Sequence, residues 1–336
     1  MKQLMNSMEN KTEQTSTLQH FVPLLSDELI LSGRHGTARA YTSAFKRLTR
    51  FTGKADITFA ELTPALMKQF EQHLYAAGSK RNSISLYMRM LRSICNQAVR
   101  RGLANIPHEL FHDVFTGTDS CEKRAMSPAV IRCLHQADLE SKPSLSFARD
   151  MFLLSFYLRG IPYVDLIHLR KKDLNKGVLR YRRSKTNRLV TVCVEACAMT
   201  IFRKYASSAG KSPYLLPVIT RTGQEGYRQY QSALRLYNKR LHCLSEMLEL
   251  KENLTSYVAR HSWATAAYRQ GIPVAIISES LGHASEKMTY HYLASFDNRT
   301  LRKANRKVIA LMMTETNKPQ TPPKHSPYPW INKAIG

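Results

Sequence analysis

From residue 20 to about residue 104, apolar side chains recur at steps of three and four with polar and basic residues between them, the period of amphipathic helices. Phe21, Leu24, Leu25, Leu29 and Ile30 mark one stripe; Tyr41, Ala44, Phe45 and Leu48 mark a second. Thr63 is placed to cap a helix over 64–77 that opens on Pro64 and has Gly78 beyond its end. A fourth helix, 83–101, gathers Ile84, Tyr87, Leu91, Ile94, Cys95 and Ala98 on one side. Lys80, Arg81, Arg89, Arg92, Arg100 and Arg101 lie before it or on its other faces. The pattern predicts a four-helix unit with a basic surface, although each cation alone is better explained as part of a solvated helix face.

Residues 105–125 are turn-rich and aperiodic, so a linker is predicted there. Beyond it the period returns, with a helix capped by Ser127 and another over 144–158. Apolar alternation in 178–183 and 188–193, on either side of the polar turn 184–187, predicts a β-hairpin. Helices are then predicted at about 195–206, 226–245, 255–271, 273–281 and 298–313. Pro319, Pro322, Pro323, Pro327 and Pro329 among polar residues predict an extended or disordered tail. No internal repeat is visible. The chain thus divides into a polar segment 1–19, a helical domain 20–107, a linker 108–125, a second domain 126–313 and a Pro-rich tail 314–336. The fold class is mainly α with a small β-sheet, the second domain being α+β.

Charge narrows the function. Lys and Arg number 50 against 25 Asp and Glu in 336 residues, a formal +25 with a pI near 10.0. Such an excess repels itself unless a polyanion neutralises it, and nucleic acid is the usual polyanion. Six cysteines are scattered without a Cys-x-x-Cys pair, which fits small buried residues in a reducing compartment rather than disulfides or zinc. The first twenty residues lack the apolar run of a signal peptide, and no stretch approaches a membrane span. A cytoplasmic, nucleoid-associated protein is expected, with no membrane partner.

The most informative stretch is Thr255-Ser256-Tyr257-Val258-Ala259-Arg260-His261-Ser262-Trp263-Ala264-Thr265, followed by Leu281-Gly282-His283-Ala284-Ser285 and Thr289-Tyr290-His291-Tyr292. It resembles the carboxy-terminal signature of the tyrosine recombinase (phage integrase) family. There an H-x-x-R-H-[ST]-x-A-T helix precedes LGH-x-S, and the nucleophilic tyrosine lies nine positions past the LGH histidine, here Tyr292. The ending Tyr292-Leu293-Ala294-Ser295-Phe296-Asp297 is similar to the branch of mobile-element integrases and DNA invertases. The resemblance implies a helical SAM-like core-binding domain followed by the catalytic domain. It also implies a site-specific recombinase that integrates, excises or inverts DNA through a 3′-phosphotyrosine intermediate. The implied partners are double-stranded DNA with paired recombination sites and a homotetramer assembled on it. The phosphotyrosine conserves the bond energy, so no ATP is needed, and the resemblance implies no cofactor and no metal.

In such a site, attack on a phosphodiester gathers negative charge on the nonbridging oxygens, and guanidinium groups answer it with bidentate hydrogen bonds. By resemblance Arg260 is the second catalytic arginine, His283 a hydrogen-bond partner of the same phosphate, and Lys185 in the hairpin turn the general acid for the leaving 5′-oxygen. Two positions depart from the pattern. Tyr257, counted among the catalytic candidates, stands where the family has the histidine three before the arginine, and a tyrosine is a poor base; the base is left open among His261, His291, water and no dedicated group. The first arginine of G-L-R-x-x-E-L would fall at Pro162, with Asp165 at the acidic position. Arg159, one helical turn earlier in Arg159-Gly160-Ile161-Pro162-Tyr163-Val164-Asp165, takes its place in a stretch similar to the branch's R-G-x-x-[FY]-V-D. Lys80, Arg81, Arg89 and Arg92, with Arg182, Arg183 and Arg188 of the hairpin, are expected to contact DNA.

Singly these residues carry little. Arg159 is a helix-end arginine, Lys185 a solvated lysine, His283 a core or capping histidine, and Tyr290 a decoy for Tyr292. His261, about 100° round the helix from Arg260, is expected to pack. Their joint order gives the reading its force. The competing function is a non-catalytic, sequence-specific DNA-binding regulator, with 272–283 as part of a helix-turn-helix; a single-site topoisomerase is a second alternative. The basic 298–313 helix is expected to pack on a neighbour or on its own domain.

Overall fold

The computed structural model describes residues 17–119, 125–290, 292–293, 302 and 305–310. The apolar stripes assemble two large cores and one small cluster, with no buried residue in common. The first core joins four helices, α1 (Leu18–Leu31), α2 (His35–Thr52), α3 (Pro64–Ala76) and α4 (Arg81–Arg100). Thr63 caps α3 as its sequence position predicts, its hydroxyl accepting from the Leu66 N–H at 3.2 Å. On α4 the buried row runs Ile84, Met88, Leu91, Cys95, steps of four, three and four, with Ile94 and Ala98 beside it. Tyr87 is only half-buried because this row favours Met88. Leu24 departs further: it is 52 % exposed, because α1 turns Phe21, Val22, Leu25 and Leu29 inward instead.

The stretch predicted as the start of the linker is part of this first unit. A 3₁₀ turn at His108–Phe111 drives Leu110 and Phe111 into the helical core, with Val114 behind them. Polar pins then hold the chain as far as residue 119. Buried Glu71 accepts from the Phe115 N–H at 2.7 Å, and Asn82 exchanges two hydrogen bonds with the Asp119 backbone. Periodicity could not reveal this, since the anchoring is by side chain to backbone and not by a stripe.

The second core is built around α6 (Pro143–Tyr157), whose buried residues Ala148, Met151, Phe152, Leu153 and Leu154 leave little of it in water. Around it lie α5 (Pro128–Gln136), α7 (Tyr163–Ile167), α8 (Ala196–Ala209), α9 (Gly223–Met247) and α10 (Val258–Arg269). α11 (Val274–Leu281) packs against α10, and α12 (Glu286–Tyr290) packs against α11. The predicted hairpin is β2 (Val178–Arg182) and β3 (Leu189–Cys193), antiparallel with Leu179 opposite Val192 and Tyr181 opposite Val190, all four buried. A third strand, β1 (Leu174–Asn175), pairs with β2. Strands and helices this short (β1, α7 and α12) carry too few residues to show a period.

The cysteines correct the expectation of uniform burial. Cys95 is buried and Cys243 half-buried, but Cys133, Cys193 and Cys197 are exposed. Cys193 occupies an outward position in the alternation of β3, and Cys133 lies on α5 between the inward-facing Ile131 and Leu134. Cys121, most of the 298–313 helix and the 314–336 tail lie outside the described residues; residues 305–310 are helical and exposed. Among the described residues, no helix is long and apolar enough to cross a membrane.

The pin at Glu71 yields a stability prediction. Glu71→Ala leaves the Phe115 N–H without its partner and removes the Lys68 ion pair, a loss of about 1–3 kcal/mol. In urea unfolding followed by circular dichroism, the midpoint should fall with the slope unchanged, and Glu71→Gln should lose less.

Candidate active site

Where α6 ends, two consecutive left-handed residues turn the chain: Arg159 at φ 59° and Gly160 at φ 70°. The Gly160 N–H closes the turn on the Ser155 carbonyl at 2.8 Å. Glycine is required twice over, because a Cβ there would lie 2.9 Å from the Arg260 Cα. This close approach sets α10 against the turn, and the Gly160 carbonyl accepts from Arg260 Nη1 at 2.7 Å.

Arg260 is only 2 % exposed. Its Nη2 donates to the Leu281 carbonyl at 2.7 Å and faces His283 Nε2 at 2.8 Å, while its Nε–H has no partner among the described residues. No carboxylate contacts it among the described residues. An isolated buried cation is costly unless compensated, and burial, with Arg183 nearby, holds the Arg260 pKa below the usual arginine value.

The turn after α11 delivers His283. Gly282, at φ 64°, ends the helix, and its lack of a Cβ admits Val190 and Arg183. A guanidinium only donates, so His283 Nε2 accepts from Arg260, and the ring proton sits on Nδ1, donated to Thr289 Oγ1 at 2.9 Å. Burial first, then the cations Arg260, Arg183 and Lys185, pushes the His283 pKa down to about 3. The ring is therefore neutral at physiological pH.

Tyr292 joins this cluster. Its ring stacks on His261 at 4.8 Å, lies 4.9 Å from the His283 ring, and has the Arg260 guanidinium carbon 5.2 Å from its centre. Its hydroxyl is 3.0 Å from the Tyr257 hydroxyl. Tyr290, the decoy, is 52 % exposed. His261 packs, as expected, and what it packs on is the Tyr292 ring; His291 lies outside the described residues.

The hairpin turn is pinned to the same place by residues assigned other settings. Asp165 Oδ1 accepts from the Ser184 N–H at 2.9 Å and from its hydroxyl at 2.6 Å, while Oδ2 accepts from Arg183 Nε at 3.0 Å. Arg183 also donates to the Leu281 carbonyl. Expected on a DNA-facing surface, Arg183 is instead 6 % exposed and bolts the hairpin to the His283 turn. The inward alternation of Leu179 and Tyr181, carried on by two, places it inside. Lys185, one residue beyond pinned Ser184, is exposed. Arg159 is half-buried, and neither cation has a hydrogen-bond or ion-pair partner among the described residues.

Of the other basic residues, Lys80, Arg89, Arg182 and Arg188 are exposed. Arg81 lies 4.0 Å over the Phe115 ring and pairs with Asp119 at 3.5 Å, and half-buried Arg92 donates to the Phe111 carbonyl at 2.8 Å. The exposed cations Arg228, Arg235 and Lys239 of α9 escaped the sequence reading, having no motif to separate them from a solvated face. Among the described residues, no group of three or more His, Cys, Asp or Glu side chains converges as metal ligands. The arrangement can receive a tetrahedral oxyanion beside Arg260 and present a phenolic oxygen to it.

Comparison with known proteins places the chain in a family. The profile of the phage integrase SAM-like domain matches residues 4–112, and that of the Phage integrase family matches residues 127–299. A tyrosine recombinase of Pseudothermotoga lettingae is 25 % identical over 289 residues, covering 83 % of this chain and 94 % of its own. Tyrosine recombinase XerA of Pyrococcus furiosus is 25 % identical over 191 residues, 53 % of this chain and 64 % of that protein. Lambda integrase, solved as a dimer bound to a COC′ core site, superposes with a TM-score of 0.60 at 17 % identity over 88 % of this chain and 83 % of its own. As a tetramer bound to a Holliday junction it gives 0.59, at 17 % identity over 84 % and 80 %.

The buried neutral histidine has a measurable consequence. Between pH 6.5 and about 3 the unfolded chain protonates His283 while the native chain does not, so native stability falls as pH drops through this window. The contribution is at most about 1.4 kcal/mol per pH unit. Thermal melts from pH 7.5 to 4.5 should show a steeper loss for the wild type than for His283→Asn; parallel curves would contradict the assignment.

Proposed function

This chain belongs to the phage integrase family, and from that premise we infer that it is a site-specific DNA recombinase that breaks and rejoins strands through a 3′-phosphotyrosine at Tyr292. The observation that carries the reading is Arg260, a buried guanidinium without a carboxylate and with an unused Nε–H, set against the ring of Tyr292. The scissile phosphate is the anion this cation lacks. Arg260 and Arg159 hold its nonbridging oxygens, Tyr292 attacks phosphorus, and Lys185 protonates the departing 5′-oxygen. The phosphate adds negative charge beside His283, raises the proton affinity of the ring, and allows Nε2 to change from acceptor to donor. Asp165 and Arg183 position Lys185 and the His283 turn through the bonds that pin them.

Residues 20–107, together with the stretch 108–119 anchored to them, form the core-binding domain, and 126–313 the catalytic domain. Lys80, Arg81, Arg89, Arg92, Arg182 and Arg188, with Arg228, Arg235 and Lys239, meet backbone phosphates and position the duplex without reading its sequence. The substrate is a pair of recombination sites held by a homotetramer, by analogy with the lambda integrase tetramer on its junction, and the setting is the nucleoid. The product is integration, excision or inversion of a DNA segment.

Covalent capture tests this. Nicked duplexes tiled across the genome that encodes the protein are incubated with it, and adducts surviving denaturation are sequenced and mapped by mass spectrometry. The adduct should map to Tyr292 and vanish in Tyr292→Phe, and Arg260→Gln should slow its formation about 10²–10³-fold. An adduct on Tyr290, one that persists in Tyr292→Phe, or tight specific binding with no adduct would overturn the reading, the last in favour of a non-catalytic regulator.

A further inference from the structure

The departure at Tyr257 gives this site a feature the family pattern does not supply. Tyr257 sits at the N-cap of α10, with φ −96° and ψ −21°, three residues before Arg260. Its ring lies 6.0 Å from that of Tyr292, at 27° to it, and the two hydroxyls meet at 3.0 Å. His261 stacks on Tyr292, so the phenol is held with its oxygen toward Tyr257. On the reading of Tyr292 as nucleophile, we propose that Tyr257 is a catalytic residue whose O–H donates to Tyr292 Oη and stabilises the negative charge gathering there as the nucleophile loses its proton.

The direction of the bond follows from the surroundings. The charged and titratable groups about the pair are Arg260 and His261 from α10 and His283 from the turn after α11, with Arg183 and Lys185 from the hairpin further off. Arg260 lies 5.2 Å from the centre of the Tyr292 ring, so the nearest cation of the cluster is set against the nucleophile's own ring. Although the residue is partly exposed, desolvation of its hydroxyl among the neighbouring rings and the bond to Tyr292 push Tyr257 up to about 12, so it keeps its proton. A phenol that stays protonated cannot be the base, but it can be a donor throughout the reaction.

The step balances as follows. The Tyr292 proton leaves to solvent, the Tyr292 Oη–P bond forms, and the P–O5′ bond breaks. The 5′-oxygen takes a proton from Lys185 Nζ, which solvent restores. Tyr257 gives up nothing; its hydrogen bond strengthens as Tyr292 becomes phenoxide-like and weakens once the phosphoester has formed.

Two measurements on the full chain test the proposal, one needing no DNA. With ¹³Cζ-labelled tyrosine, and Tyr292→Phe to assign the signal, Tyr292 is titrated in the wild type and in Tyr257→Phe, which loses only a hydroxyl at a position 43 % exposed. The Tyr292 midpoint should rise by about one pH unit in Tyr257→Phe, the size of a lost hydrogen bond to a charged group. An unchanged midpoint overturns the proposal even if covalent capture succeeds. On a nicked duplex recovered by that capture, Tyr257→Phe should slow single-turnover adduct formation about 10–100-fold at pH 7. The deficit should shrink as pH rises, because free hydroxide then takes over removal of the nucleophile's proton, and Tyr257→His should recover part of the rate through its ring N–H. A deficit constant across pH assigns Tyr257 a packing role and also overturns the proposal. If the wild type forms no adduct, the functional reading fails, and the titration still decides the coupling between the two tyrosines.

Discussion

The whole catalytic end is organised by one buried positive charge. Taking a guanidinium out of water costs several kcal/mol unless dipoles or an anion replace its hydration, and Arg260 finds its replacements in pieces of chain far apart in sequence. The Gly160 carbonyl comes from the end of α6, the Leu281 carbonyl from the end of α11, and His283 from the turn beyond it. Each can reach only because the backbone is bare where it must be: Gly160 admits the Arg260 backbone and Gly282 admits Arg183 and Val190. The carbonyls are neutral, so they moderate the charge without cancelling it. That remainder makes the site receptive to a phosphate.

A second cation makes the arrangement rigid. Arg183 shares the Leu281 carbonyl with Arg260 but, unlike Arg260, has a carboxylate partner in Asp165. Asp165 also holds Ser184, so one carboxylate fixes both the bolt and the base of the turn that bears Lys185. The cations divide accordingly: the paired arginine builds the frame, while Arg260, Arg159 and Lys185 lack carboxylate partners among the described residues. Tyr292 is held within the same chain, stacked on His261 with its hydroxyl against Tyr257.

The sequence revealed the helices wherever a stripe ran for three turns or more, as in α2 and α4, and the hairpin from its strict alternation. It could not reveal α7, α12 or β1, which are shorter than any period, nor the anchoring of 108–119 by Glu71, Asn82 and a buried Phe111. Motif order put Tyr292, His283 and Arg260 together, and the structure brings them within contact distance. Arg183 was misplaced because charge suggested a surface while alternation along β2 pointed inward. The pairing of Tyr257 with Tyr292 was out of reach of sequence, since it depends on how a 35-residue excursion returns the second phenol to the first.

The central claim, that Arg260 is a buried cation awaiting a phosphate, can be met directly at its unused N–H. In ¹H–¹⁵N spectra of the full chain, the Arg260 Nε–H resonance, assigned with Arg260→Lys, is followed while orthovanadate is added as a phosphate mimic. The account predicts a saturable downfield shift as the orphaned donor acquires an oxygen acceptor, with the Tyr292 ring signals moving at the same concentration. A resonance that stays in place while vanadate binds elsewhere on this basic protein would contradict it.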